Sequence, residues 1–413
     1  MKTVVLDDDP TGTQSASDAA VLLEYDAALI REVLRTADSV YVQTNSRAID
    51  EAAAVALVSD IRDAARRAAA DLGEEVQFVL RGDSTLRGHV FAETEQFLDE
   101  DSVIVFNPAF PDGGRTTVGG IHLVRIGGRE VPAHETEYAE DPVFPFSSGV
   151  LAEYVAEKSG RPVVGIDLAT VRAGRTASAI ATAPAGAVVA PDAQTDDDIR
   201  LIAEAIRTVR RAGRSVVVRS AAPLAAALAG VQSPALLPHP LLTAPRPTLL
   251  VCGSHTAGAT AQLEAVEALH GPPIVIPTED AFVDPVAAGL EAARRARERL
   301  AAGGLAVVCS ERHRRPEHST LRHGELVMQA LTVAVRALSP DVEVVVAKGG
   351  ITSAELARKG VGATRAVVRG QVIPGVSVWD LRSAEGEPVL YVVVPGNVGE
   401  ASALTEVLTA LGR

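Results

Sequence analysis

Short runs of β-branched and other apolar residues alternate along the chain with longer stretches rich in Ala, Arg and Glu, whose apolar positions recur with the spacing of a helix face. In the first half, runs at 3–6, 40–43, 76–80, 103–106, 163–166, 187–190 and 215–218 predict strands. Between them, 50–70, with Asp50 as its N-cap, and 196–212 predict helices. A Pro-rich, helix-poor stretch at 234–247 breaks the rhythm, which resumes with predicted strands at 249–252, 274–276, 305–309, 342–347, 364–368 and 389–394. This alternation predicts an α/β protein of two domains, 1–240 and 246–413, each a mostly parallel sheet flanked by helices. Ligands of open parallel sheets gather beyond the carboxyl ends of the strands. The loops that follow strands are therefore where chemistry is expected, with the active site in a cleft between the two domains.

At 413 residues the chain exceeds what one core usually serves, which agrees with two domains. A hydrophobic fraction of 47% with only 3% aromatics gives cores of Ala, Val, Leu and Ile. The net charge of −14 argues against nucleic-acid and acidic-membrane partners, so an anionic ligand has to be gripped by local groups. Lys2, Lys158, Lys348 and Lys359 are the only lysines, and nearly all positive charge is Arg, which suits bidentate contacts to carboxylate and phosphate. Cys252 and Cys309 end apolar runs and read as small buried hydrophobes, not as a disulfide framework. The apolar run at the N-terminus is too short for a signal peptide, and no segment approaches ~18 uncharged apolar residues, which predicts a cytoplasmic protein.

Four polar loops follow successive predicted strands in the first half. The first reads Asp7-Asp8-Asp9-Pro10-Thr11-Gly12-Thr13-Gln14, where neighbouring carboxylates repel one another unless they bind cations or hydroxyls and Pro-Thr-Gly forces a turn. The second is Thr44-Asn45-Ser46-Arg47. The third, Arg81-Gly82-Asp83-Ser84-Thr85-Leu86-Arg87-Gly88-His89, packs guanidiniums, a carboxylate and hydroxyls into one loop; Arg there suits a substrate carboxylate, and Asp and Ser suit its hydroxyls. The fourth, 107–122, is a long Pro/Gly loop that is either functional or disordered and carries Arg115, Thr116, Thr117 and His122.

The second half offers glycine turns. Gly253-Ser254-His255-Thr256 leads from a strand into a helix, presenting N–H groups and hydroxyls to a phosphate or ribose, although ordinary capping by Ser254 or Thr256 explains the same pattern. Lys348-Gly349-Gly350-Ile351-Thr352-Ser353 follows a buried strand and precedes a predicted helix at 354–359, a second phosphate cradle. Lys348 either neutralises phosphate charge or ends the strand. Pro395-Gly396-Asn397-Val398-Gly399 closes the last strand. His313, His318 and His323 lack the paired spacing of a zinc site, and no metal-ligating residues are assigned.

These motifs resemble the four-carbon acid sugar kinases. Their Asp-Asp-x-Thr-Gly matches Asp8, Asp9, Thr11 and Gly12; their Ser-Arg matches Ser46-Arg47; their Asp-Ser-Thr-Leu-Arg-Gly is 83–88; and their Pro-x-x-Gly-Arg-Thr is 111–116. In the second half, Ser254 matches a nucleotide-contacting Gly-Ser, 349–352 a Gly-Gly-x-Thr loop, and 396–399 a Gly-Asn-Phe-Gly loop. Two positions depart from the pattern: Ile351, where many members carry an acid, and Val394, where many carry Lys.

The resemblance implies a first domain that binds a small sugar acid, a tetronate or 3-oxo-tetronate, and a second that binds ATP, with Mg²⁺ accompanying the nucleotide. Asp8 or Asp9 would orient or deprotonate the attacking hydroxyl, with Asp83 in reserve. Thr11, Gly12, Ser46, Arg47, Ser84, Arg87 and Arg115 would hold the substrate, the three arginines gripping its carboxylate. Gly253, Ser254, Thr256, Lys348, Gly349, Gly350, Ile351, Thr352, Ser353, Gly396 and Asn397 would line the nucleotide site. A homodimer is compatible with this reading. Two alternatives remain open at this level: an NAD-dependent oxidoreductase of a small hydroxy acid, disfavoured because no G-x-G-x-x-G follows the first strand, and a non-catalytic sugar-acid sensor, motivated by Ile351 and Val394.

Overall fold

A computed structural model of the chain describes residues 1–312, 321–396 and 398–413. These divide into two compact units, Met1–Gln232 and Ser233–Arg413.

The first unit contains β1 (Lys2–Asp7), β2 (Ala19–Leu22), β3 (Ser39–Gln43), β4 (Val76–Arg81), β5 (Val103–Asn107), β6 (Arg115–Val118), β7 (Ile121–Ile126), β8 (Arg129–Pro132), β9 (Val163–Ile166), β10 (Val188–Pro191) and β11 (Val216–Ser220). Its main sheet runs β2-β3-β1-β4-β11-β5-β10-β9, with parallel pairing throughout. Both faces of a parallel sheet are covered by helices, which is why its strands are nearly continuous apolar runs. On one face, Val4, Leu6, Val42 and Leu80 pack against Val58, Ile61 and Ala65 of helix Glu51–Asp71. Asp50 caps that helix, its carboxylate accepting from Ala53 N at 2.9 Å. Leu86, Phe91, Phe106, Tyr154 and Val188 form a second cluster, within which Phe106 stacks on Tyr154.

Two sequence expectations change here. The strand β2 is not signalled by the periodicity. The stretch 107–122 is neither disordered nor a simple loop: its second half, from Arg115 on, folds with the residues that follow into a separate antiparallel sheet β6-β7-β8. Gly119 and Gly120, at φ 62° and 73°, make the turn that lets β6 and β7 pair.

The second unit contains β12 (Thr248–Cys252), β13 (Ile274–Ile276), β14 (Leu305–Ser310), β15 (Val344–Lys348), β16 (Arg365–Ile373), β17 (Val376–Arg382) and β18 (Pro388–Val394). Its sheet order is β13-β14-β12-β15-β18-β17-β16, parallel as far as β18 and antiparallel beyond it. The Pro374-Gly375 turn therefore joins a hairpin, and β17 is a strand the sequence reading missed. The Pro-rich stretch belongs to this unit: Leu237 N donates to Gln371 O at 2.7 Å and Leu241 N to Ala410 O at 2.8 Å. Cys252 and Cys309 are buried free thiols, register partners on neighbouring strands. No helix among the described residues is long and apolar enough to cross a membrane.

Candidate functional site

In the first unit, β3, β1, β4 and β11 are neighbours, so the loops after them meet at one end of the sheet. Their meeting point is a buried network of acids and arginines. Arg81, the last residue of β4 and only 2% exposed, places Nη1 at 3.2 Å from Oδ1 of each of Asp7, Asp8 and Asp9. Its Nη2 donates to Thr11 Oγ1, also at 3.2 Å. A guanidinium tolerates such burial only when its fixed fork of donors is matched by acceptors. Arg219, from β11, donates to Glu93 and reaches Asp8 Oδ2 at 3.4 Å. Gly82 makes room for it, since a Cβ there would lie 2.6 Å from Arg219 Nη2.

Arg47, in the turn Ser46–Ala48, bridges three carboxylates: Asp8 at 3.4 Å, Asp83 at 3.6 Å, and Asp9 in close contact. Arg87 Nε donates to Asp83 at 2.7 Å, and its guanidinium lies 5.1 Å from the ring centroid of Tyr138. Asp83 also accepts from Thr85. Burial works to raise the Asp83 carboxyl, but Arg87, Arg47 and the Thr85 hydroxyl prevail and hold it far below the usual carboxylate range. Asp9 caps the 3-10 turn Pro10–Ser15 through Thr11, its Oδ1 accepting the Thr11 amide at 2.7 Å. Two non-glycine residues of these loops carry positive φ, Asn45 at 50° and Leu86 at 69°, conformations held by the packing around them.

Asp7 behaves differently from its neighbours. It is fully buried, and burial pushes its carboxyl up to about 7 against the opposing pull of Arg81. Oδ2 has no hydrogen-bond partner among the described residues, which suits a protonated acid. Gly12 packs directly on this carboxyl, and a Cβ at position 12 would overlap it.

The expected substrate residues do not all reach this network. Ser46 is buried and its hydroxyl accepts from Thr44 at 3.2 Å. The carbonyl of Ser84 accepts from His122 Nε2 at 2.8 Å, while Thr117 Oγ1 pairs with His122 Nδ1 at 3.0 Å. Burial lowers the His122 imidazole to about 4, so it is a neutral ring bracing the loop 81–89. Arg115 stands on β6 of the separate sheet, donates to Gly113 O, and acts electrostatically on His122 and Tyr138. Sequence reasoning left Asp7, Arg219 and Glu93 without roles and read Arg81 only as a loop guanidinium suited to a substrate carboxylate, not as the buried partner of Asp7, Asp8 and Asp9. The polar pair Arg219-Ser220 after a Val run was the available signal, but nothing local shows that β11 inserts between β4 and β5.

In the second unit β12, β15 and β18 are adjacent, so their three glycine turns are neighbours. Gly253 N donates to Lys348 O at 3.3 Å, and Gly349 N donates to Val394 O at 2.8 Å. Gly349 has φ 116°, and a Cβ on it would lie 3.2 Å from the Ser254 Cβ. The helix begins at Gly350, four residues before the expected start, and runs to Glu355, continuing as a π-turn over Leu356–Val361.

Several candidate nucleotide residues turn inward. The Ser353 hydroxyl donates to Gly349 O at 2.7 Å and lies close to Ala347 O. Thr256 caps helix Ala257–His270, accepting from Ala259 N at 3.2 Å, and donates to Gly396 O at 2.8 Å. Lys348 is fully buried, its Nζ donating to Pro395 O at 2.6 Å, and burial lowers its ammonium to about 8. Lys348 is the last residue of its strand, as the second of its two expected roles has it, and its ammonium in addition holds the loop after the last strand. Its register partner on β18 is Val394. Arg312, unassigned from the sequence, donates to Ser254 O at 2.5 Å and Thr260 Oγ1 at 3.0 Å. Thr352 is buried, Ser254 half-buried, and Ile351 is exposed. Asn397, His313 and His318 lie outside the described residues, and His323 stacks on Phe282.

Residues 3–228 match the sequence model of a sugar-binding N-terminal domain, and residues 249–404 that of a nucleotide-binding C-terminal domain. A D-erythronate kinase of Heliobacterium modesticaldum is 36% identical over 256 residues, which is 60% of this chain and 54% of that protein. The chain thus spans about half the length of that relative. A 3-oxo-tetronate kinase of Methylobacterium radiotolerans is 28% identical over 426 residues, covering 95% of each. A solved structure from a domain-of-unknown-function family of Haemophilus influenzae shares the fold, with TM-score 0.63 and 17% identity over 98% of this chain and 99% of that one. With both domain models matched in order over most of its length, the chain belongs to the four-carbon acid sugar kinase family.

Proposed function

We propose that this protein transfers the terminal phosphoryl group of ATP to a hydroxyl of a four-carbon sugar acid. The observation that carries the reading is the convergence of Asp8, Asp9, Thr11, Arg47 and Asp83 around Arg81 at the carboxyl ends of neighbouring parallel strands. Carboxylates suited to hydroxyls and guanidiniums suited to a carboxylate are gathered there. The names of the relatives, which are kinases, support phosphoryl over hydride transfer. In this reading the first unit, Met1–Gln232, takes the sugar acid and the second, Ser233–Arg413, takes the nucleotide.

Phosphoryl transfer depends mainly on positioning and charge neutralisation, with little base strength required. Asp83, held far below the usual carboxylate range by Arg87 and Arg47, is a poor proton acceptor. Asp8 and Asp9 are the better candidates to orient the attacking hydroxyl, and Arg47, which already bridges carboxylates, is the natural grip for the substrate's own. Among the described residues no three His, Cys, Asp or Glu side chains cluster to hold a metal ion, and Asp8, Asp9 and Asp83 are each paired with arginine. Mg²⁺ would accompany the triphosphate and neutralise charge on the transferring group.

The test is ADP release, measured in a coupled assay, from ATP–Mg²⁺ with a panel of four-carbon sugar acids that includes D-erythronate and 3-oxo-tetronate. Turnover with at least one of them is expected. Binding of the acids without any ADP release would leave a sensor in place of an enzyme.

A further inference from the structure

The loop that follows β18 is held in an unusual way. The carbonyls of its described residues Pro395, Gly396, Val398, Gly399 and Glu400 are taken up by side-chain donors of the second unit. Lys348 Nζ donates to Pro395 O at 2.6 Å and to Val398 O at 3.4 Å. Thr256 Oγ1 donates to Gly396 O at 2.8 Å. Gln262 Nε2 lies 3.2 Å from Val398 O, 3.1 Å from Gly399 O and 3.0 Å from Glu400 O. Because all three of these neighbours are carbonyls, the Gln262 amide must turn its NH₂ to them. Gln262 and Lys348 are almost wholly buried, at 1% and 0% exposure, so both are committed to the loop and not to solvent.

A planar trans peptide points its N–H opposite to its C=O. Where the carbonyls of Pro395, Val398, Gly399 and Glu400 face buried donors, the amides of Gly396, Gly399, Glu400 and Ala401 face the other way. Gly399, Glu400 and Ala401 are exposed, in keeping with that outward side. Successive outward amides in a short loop make a concavity suited to an anion. The Gly399 backbone, at φ 85°, sits 3.5 Å from Gln262 Nε2 at its Cβ position, so the loop is packed onto this side chain.

We infer that Gln262, acting with Lys348, is a positioning residue for the nucleotide's phosphates: the two draw the carbonyls of Pro395, Val398, Gly399 and Glu400 inward and thereby aim the amides of Gly396, Gly399, Glu400 and Ala401 at phosphate oxygens. The inference rests on the nucleotide reading of the second unit and assigns Lys348 and Thr256 to the loop's support instead of to direct ligand contact.

The test compares ADP with adenosine, which lacks phosphates, on the full chain. ADP affinity is measured by calorimetry and adenosine affinity by ligand-observed NMR. Gln262→Met, similar in volume but without a donor, should weaken ADP by about tenfold or more while leaving adenosine within about twofold. Gln262→Asn keeps an amide on a shorter stem and should show a smaller loss in the same sense; it decides the matter if Gln262→Met does not fold. Unchanged ADP affinity in a folded variant, or equal losses for ADP and adenosine, would overturn the positioning role while leaving the nucleotide reading intact. Failure of the unaltered protein to bind ADP would overturn that reading and this inference together.

Discussion

Asp7 shows how a single position can be misjudged from its neighbours. Three consecutive aspartates look equivalent on paper, and all three are buried beside Arg81, yet Asp7 lies under Gly12 with that one arginine while Asp8 and Asp9 also pair with Arg47. Its carboxyl, raised from 3.8 to about 7, keeps a proton in the folded state that the unfolded chain has already lost. Stability from this group is therefore fully present below about pH 4 and is lost as pH rises to about 7. Asp7→Asn should remove that slope: the stability difference, variant minus unaltered protein, should rise across this window by an amount of order a few kcal/mol at most. Denaturant titrations of both proteins at several pH values check it, and a flat difference would show that Asp7 is ionised throughout. Asp9→Asn tests the chemistry instead. It should lower kcat by at least about 100-fold while leaving ADP affinity nearly unchanged. Equal loss of both would contradict a division of labour between the units.

At the scale of elements, the motifs were legible because each sits in the loop directly after a strand whose apolar run is unmistakable. Asp8 to Gly12, Ser46-Arg47 and 83–88 needed only the parallel-sheet rule to be grouped. What local pattern hid was pairing. β6 and β7 are strands only because they find each other across Gly119-Gly120, and β17 because it pairs with both β16 and β18. Helix contacts were equally hidden: Gly289, in helix Pro285–Gly303, leaves no room for a side chain, since a Cβ would lie 2.5 Å from Ala330 O and 2.8 Å from Val333 Cβ of helix Leu321–Leu338. A backbone oxygen cannot swing aside. Gly289→Ala should therefore destabilise the second unit by about 1–3 kcal/mol, despite the better helix propensity of Ala, as measured by urea unfolding. A stabilised variant would mean that the two helices separate freely.

For the whole molecule, the two units carry their own cores and, in the proposed function, their own ligands. Trp379, the sole tryptophan, is fully buried on β17 and is a probe placed in the second unit. ADP should shift its fluorescence transition to higher denaturant, by an amount set by ligand concentration over Kd. A sugar acid should leave that transition in place and shift the part of the far-ultraviolet circular dichroism transition that tryptophan fluorescence does not follow. A sugar acid that stabilises the Trp379 transition as strongly as ADP does would count against the assignment of ligands to units.

The sequence by itself determined the class of fold, the loops that carry the chemistry and the family pattern, because these depend on local periodicity and on residues close together in the chain. Tertiary structure decided which polar groups actually meet. Arg219 joins Asp8 across a long separation in sequence because β11 inserts beside β4, and Lys348 and Gln262 reach the carbonyls of the last loop because β12, β15 and β18 lie side by side. A buried charge or amide is defined by its partners, and partners drawn from distant segments are set by sheet order, which periodicity does not encode.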